Sequence, residues 1–467
     1  MKLVIACLTV VALAGALHAQ AEDPPAKSLA ITGVTVIDAT GAPAQPDITV
    51  IIFGNRIIAM GEVGVPAGAQ VVDGKGKYLI PGLWDMHVHT VSPSFLQLYL
   101  ANGVTGVRDM HAMDPDATFG LRKQVQEGKQ PGPRIVVAGP LVDGPNPFVP
   151  GSLVAADAAE GRAAVRKLKK MGADFVKVYT KLPREAYLSI ADEAKLQGLP
   201  FVGHIPESVS AAEASDLGQK SIEHLTGVEL ASSDKEDELR REAVAALVDN
   251  QAAMELLGRI GARAADSVSD TKARALYARF VRNGTWHVPT LTVLHSLVSL
   301  DDPKFTADPR VKYMPPSLSS YWTLIKLPPE TAAGLKLRYK RTTGLVRAMH
   351  QAGVPFLAGT DTPGVPYVFP GFSLHNELAL LVVECGFTPL EALQAATRNP
   401  ARFFGREKDL GTVEPGKLAD LVLLDADPLA DIHNTTKIAA VVANGRLLSR
   451  PELDRMLADV EASNRKK

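Results

Sequence analysis

Between residue 81 and about residue 405, short apolar runs alternate with helix-patterned stretches, and this alternation constrains the fold more than anything else in the chain. This alternation suggests parallel β/α units, because a parallel pair needs a long crossover where an antiparallel pair can use a hairpin. The runs are "LWDMHVH", "VTGVRDM", "PRIVVAG", "DFVKVYT", "PFVGHI", "SIEHLT", "WHVPTLTV" and "PFLAGTD". Eight such units are what a closed β/α barrel needs. The expectation is an α/β chain: a distorted (β/α)8, TIM-like barrel over residues 81–407.

The segments on either side read differently. Residues 28–80 and 408–447 carry β-branched runs broken by Gly, Asn and Asp, which suit short strands. Neither segment alone buries much core. They are expected to combine into one small β-sandwich module built from both chain ends, leaving residues 448–467 as a C-terminal helix or tail. The long stretches 228–284 and 295–350 are expected to hold helices that cover the barrel rim.

Residues 1–21 read as an export signal, with Lys2 before the apolar "LVIACLTVVALAGAL" and small residues for cleavage near Ala19 or Ala21. The chain is thus expected to be exported, periplasmic or secreted, with no stable membrane insertion after cleavage. Removing Cys7 with the signal leaves Cys385 alone, which excludes a disulfide framework and suits a buried apolar filler. A formal net charge of −1 suggests neither a nucleic-acid partner nor an electrostatic membrane partner, and the expected partner is a small-molecule substrate. A homo-oligomer stays open.

"LWDMHVHT" places two imidazoles two residues apart. In a regular strand Asp85, His87 and His89 would share one face, and Trp84, Met86 and Val88 the other. His87 and His89 end the first run. Lys177 sits in the fourth, His204 ends the fifth, His224 lies near the end of the sixth, and Asp361 ends the eighth. Active sites of such barrels gather at the C-terminal strand ends. Five strands therefore deliver metal-type side chains to one rim.

With these motifs the sequence resembles the amidohydrolase superfamily, in its prolidase-like and imidazolonepropionase-like metal-dependent hydrolase branch. "PGLWDMHVHT", "VKVYT", "VGHIP", "IEHLTG", "AGTD", "AATRNPARFFG" and "GTVEPGKLADLVLLD" carry the resemblance. It implies two divalent metal ions, with zinc the first expectation. His87, His89 and Asp361 would hold one ion, and His204 and His224 the other. Lys177, carboxylated by carbon dioxide to a carbamate, would bridge them together with a hydroxide. The implied reaction is hydrolysis of a carbon–nitrogen bond, with Asp361 moving the proton as the catalytic residue. Candidate substrates are dipeptides ending in proline or a basic residue, and N-acyl amino acids. Tyr179, His111 and His287 are the candidate substrate-binding residues, and Asp85 a candidate orienter of an imidazole.

Two other readings compete. Glu207 follows His204 at the spacing a single-metal deaminase or imidazolonepropionase-like ring hydrolase uses, although it also suits a residue opening the next helix. Lys177 speaks against that chemistry. A non-catalytic binding protein would not need all six metal-type side chains.

Overall fold

The computed structural model describes residues 28–89, 92–247 and 250–465. The export signal expected at 1–21 lies outside them. Seven of the expected barrel runs are strands: Leu83–Val88, Val104–Asp109, Arg134–Val137, Val176–Val178, Phe201–Gly203, Ser221–Glu223 and Trp286–Val288. Neighbouring strands pair in parallel within two sheets. A backbone bond from Asp174 N to Val137 O (2.8 Å) bridges the gap between the third and fourth strands.

The eighth run departs from expectation, because it is not a continuous strand. Residues 356–362 close the barrel through isolated bridges, Phe356 with His287 and Thr362 with Val88. Further bonds run from Leu357 N to His287 O (2.9 Å), Met86 N to Ala358 O (2.9 Å) and Asp361 N to His87 O (2.7 Å). Asp361 itself has φ of 61°, which breaks any regular ladder there.

Two buried clusters sort the strand faces. Trp84, Met86, Ala138, Phe175, Val202, Val288 and Leu357 come from across the barrel and pack inside it, with Phe403 of helix Arg398–Phe404 joining them. Val107, Val137, Val176, Val178 and Ile222 face outward to the helices. This period of two sends Lys177 inward between Val176 and Val178.

The first strand breaks that period. Trp84 pairs with Gly106 and Asp85 with Val107, but Val88 pairs with Asp109. One extra residue is therefore inserted between Asp85 and Val88, which is a β-bulge and re-aims the side chains around it. Met86 joins the interior cluster, and His87, the next residue, also reaches Lys177. Asp85 does not share their face.

Gly359 allows the closing segment to approach this bulge. A Cβ there would lie 2.8 Å from His87 N, 2.9 Å from His87 Cβ and 2.7 Å from a Val288 methyl. Gly359→Ala is expected to cost about 1–3 kcal/mol by overpacking. The check is the urea midpoint, and an unchanged midpoint would mean that the barrel closure is loose.

Strands from both ends form one eight-stranded mixed sheet. Tyr78–Pro81 pairs in parallel with Leu29–Val36 on one side and antiparallel with Leu421–Leu424 on the other. Leu29, Ile31, Val50, Leu79, Leu421 and Val442 share a core separate from the barrel interior. Since Tyr78–Pro81 runs straight into Leu83–Val88, the seam between the chain ends anchors the first barrel strand. The C-terminal segment is the helix Arg450–Arg465. The long stretches are helical, including Asn250–Asp266 and Pro329–Gln351. Cys385 is fully buried, and burial pushes its thiol up to about 12.

Candidate metal centre

The barrel mouth brings six side chains together. His87 Nε2 lies 3.3 Å from Lys177 Nζ and 3.4 Å from Asp361 Oδ1. His89 Nε2 is 2.8 Å from Asp361 Oδ1, and His224 Nε2 is 3.9 Å from Asp361 Oδ2. The His87 and His224 rings are 4.7 Å apart, and the His204 and His224 rings 5.0 Å apart. One ligand atom each from His87, His224 and Asp361 fits within 4.8 Å of the others.

Local backbone geometry produces this convergence. Glu223 and His224 are adjacent, yet both serve the site, because His224 (φ 55°) and Leu225 (φ 56°) take left-handed backbone. Thr290 (φ 48°) and Asp361 (φ 61°) do so too. Non-glycine residues rarely hold this conformation, and such strain clusters at functional sites.

Three imidazoles are oriented through Nδ1. His87 Nδ1 donates to Glu223 Oε2 (2.8 Å), since a carboxylate only accepts. The Thr290 hydroxyl donates to Pro289 O (2.8 Å) and so accepts from His224 Nδ1 (2.6 Å). His204 Nδ1 meets the Thr180 hydroxyl (3.0 Å). Each arrangement points Nε2 at the centre. His204 Nε2 is buried and has no hydrogen-bond partner among the described residues. An orphaned buried nitrogen beside imidazoles and a carboxylate is a donor set that suits a divalent transition metal.

The electrostatics agree. Burial, reinforced by neighbouring positive groups, holds the His87 and His204 imidazoles well below their usual range. Burial also brings His224 down to about 4, against the pull of Asp361. Neutral imidazoles are the form that binds metals. Burial lowers Lys177 to about 8, with Asp361 and Glu223 opposing. Burial would raise Asp361, but His224, His89 and Lys177 outweigh it and hold its carboxyl at about 2.

The remaining candidates divide. Tyr179 sits at the centre, its ring 4.0 Å from that of His204 and 5.5 Å from Lys177 Nζ. His111 is near, with its ring 6.5 Å from His89, but its ring nitrogens are engaged by backbone. Nδ1 accepts from Leu141 N (3.2 Å) and Nε2 meets Pro150 O (3.3 Å), so His111 holds a loop and does not offer a free contact to substrate. His287 is placed elsewhere. It lies between inward-facing Trp286 and Val288, and so points outward onto Phe280 (4.5 Å) and Phe356 (6.0 Å). The expected substrate role for His287 is therefore corrected by the strand period.

Asp85 is also corrected. It accepts from the backbone N–H of His87 (3.2 Å) and Thr360 (3.0 Å) and from the Thr360 hydroxyl (2.7 Å), and among the described residues from no imidazole. It fastens the closing segment to the bulge. Glu207 precedes the helix Ala211–Asp216, whose N-cap is Ser210, and does not open it. It is half-buried, and burial raises its carboxyl to about 7, with Arg240 opposing.

Glu223, Thr180, Thr290 and Arg108 were missing from the sequence reading. A signal existed for two of them. Glu223 is in phase with Ser221, and Arg108 with Gly106, so both place a charge on the inward face of an apolar strand.

Known proteins are similar to this chain in two ways. An imidazolonepropionase of Shouchella clausii is 47% identical over 81 residues, 17% of this chain and 17% of that relative. The aligned part thus spans less than a fifth of that relative's length. Among solved structures, the bottromycin amidohydrolase superposes with a TM-score of 0.72 at 23% identity, covering 95% of this chain and 91% of that one. A Xaa-Pro dipeptidase solved with bound methionine gives 0.66 at 22% identity, covering 91% and 100%. At these identities the likeness is one of fold alone. The model of the amidohydrolase family matches residues 78–448, more than three quarters of the chain. With the entire barrel inside that match, the chain belongs to the amidohydrolase family.

Proposed function

We propose that this protein is a metal-dependent hydrolase of carbon–nitrogen bonds, acting on a small amide such as a dipeptide or an N-acyl amino acid. The observation that carries the reading is the presence of Lys177 among four histidines and Asp361 in one centre at the barrel mouth. A lysine cation has no place between divalent ions unless its charge is reversed. The fold shared with a Xaa-Pro dipeptidase and the bottromycin amidohydrolase supports an amide substrate.

His87, His89 and Asp361 would hold one divalent cation and His204 and His224 another, with carboxylated Lys177 between them. Such ions lower the pKa of a water and polarise a carbonyl oxygen. Asp361, ionised at neutral pH, accepts the proton of the attacking water and passes it to the leaving nitrogen. The Tyr179 phenol stays protonated, because burial raises it, and can donate a hydrogen bond to a substrate carboxylate. Among the described residues no helix is long and apolar enough to cross a membrane. The signal-like residues 1–21 support action after export.

Two bound ions per chain are the expected result when chelated protein is reloaded with zinc. Hydrolysis of members of a dipeptide and N-acyl amino acid library should appear with reloading and vanish with chelator. A second reading rests on Glu207, whose carboxyl near 7 suits proton transfer. One ion per chain, with activity lost in Glu207→Gln, would favour that single-metal chemistry instead.

A further inference from the structure

A buried arginine underlies the centre. Arg108 has no exposed surface, and its guanidinium lies over the rings of Phe403 (5.0 Å) and Phe175 (5.7 Å). Its Nε donates to Met86 O (2.6 Å), and its Nη1 to Ser221 Oγ (3.0 Å). Its Nη2 reaches both oxygens of Glu223, at 2.9 and 3.0 Å. Ser221 Oγ donates to Glu223 Oε1 (2.5 Å), and His87 Nδ1 donates to Oε2. Among the described residues, the hydrogen bonds to the Glu223 carboxylate come from Arg108, Ser221 and His87. Met86 is the bulged residue directly before His87.

We propose that Arg108 is the positioning residue of His87. One rigid fork fixes the ligand strand at its bulge through Met86 O and fixes the carboxylate that receives the His87 Nδ1 proton. Both constraints aim His87 Nε2 at Lys177 and Asp361. Core filling alone would need no charge here, and an apolar side chain between two phenyl rings would pack at no desolvation cost. The planar fork is the feature that only arginine supplies. This inference rests on the reading of the centre as a metal site, but it has a consequence that needs no metal. In metal-free protein His87 should be held in the Nδ1–H tautomer.

The test uses the full chain with 15N-labelled histidine. Wild-type His87 should show the Nδ1–H pattern without metal. In Arg108→Met the pattern should become a tautomer mixture. Zinc competition against a chelator should then show one site weakened by about 10- to 100-fold and the other unchanged, the scale of losing a ligand's supporting partner. Loss of fold alone would not produce this split between sites. Should the methionine variant fail to fold, Arg108→Lys carries the same measurements, because an ammonium cannot span Met86, Ser221 and both Glu223 oxygens. A folded variant with a wild-type His87 signal and both zinc affinities intact would overturn the proposal. Wild-type protein that binds no zinc, yet shows a fixed His87 tautomer lost on substitution, would sink the metal reading and keep the positioning role.

Discussion

Lys177→Arg is expected to cut turnover by roughly a thousandfold or more, the scale of losing several kcal/mol of charge stabilisation. The substitution keeps length and positive charge, and it would pass as conservative at a surface. Here the amine is buried, and burial brings it down to about 8. At neutral pH about a tenth of such an amine is neutral. Neutral amine adds to carbon dioxide, forming an N–C bond and releasing one proton, and the product is an anionic carbamate with two ligand oxygens. Guanidinium stays cationic and does not follow this path. Lys177→Arg therefore sets a permanent cation where His87 Nε2 lies 3.3 Å away. Metal content should fall to one ion or none by elemental analysis. Lys177→Ala should lose at least one ion as well, and added short carboxylic acid should restore part of the binding and turnover by filling the gap. Near-normal turnover with two ions in Lys177→Arg would refute the bridging role.

The strands that carry these candidate ligands were legible because period two and burial act on every residue of a short parallel strand. Val176–Lys177–Val178 announces a lone polar side chain facing inward, and Phe201–Val202–Gly203 leads to His204 in the same way. The same rule, applied to Trp286–His287–Val288, would have sent His287 outward.

The first strand departs from a regular period for a different reason. A bulge between Asp85 and Val88 leaves no mark in composition, since the extra residue is ordinary and the gain lies in pairing with the next strand. The left-handed backbone at His224 and Asp361 was hidden too. Asp and His enter this region more readily than most non-glycine residues but mostly do not, so residue type alone did not mark them, and the packed barrel around them sustains the strain. His111 shows the limit of side-chain chemistry as a guide. Its type suits a ligand or a substrate contact, yet the backbone of Leu141 and Pro150 occupies its ring nitrogens.

Asp361→Asn is expected to lower kcat by roughly a thousandfold or more while changing KM only several-fold, the pattern of a group needed for proton transfer. The substitution isolates charge from shape. Asparagine is nearly isosteric and tolerates left-handed backbone, so the φ of 61° costs it little. The fold should therefore survive, with a urea midpoint close to wild type. What changes is the carboxylate. Asp361 is held ionised at about 2 by His224, His89 and Lys177 despite burial, so its carboxylate is free to accept a proton throughout the neutral range. An amide cannot accept that proton and binds a divalent cation more weakly. One ion should be lost more readily to chelator, the one held by His87 and His89, whose Nε2 atoms lie 3.4 and 2.8 Å from Asp361 Oδ1. Working at saturating zinc separates the two losses. Restored metal content without restored kcat would assign the deficit to proton transfer, and recovery of kcat with metal would confine Asp361 to a ligand's role. Glu207→Gln provides the contrast. If Asp361→Asn stays within about tenfold of wild type while Glu207→Gln falls by the margin predicted for Asp361, the proton passes through Glu207.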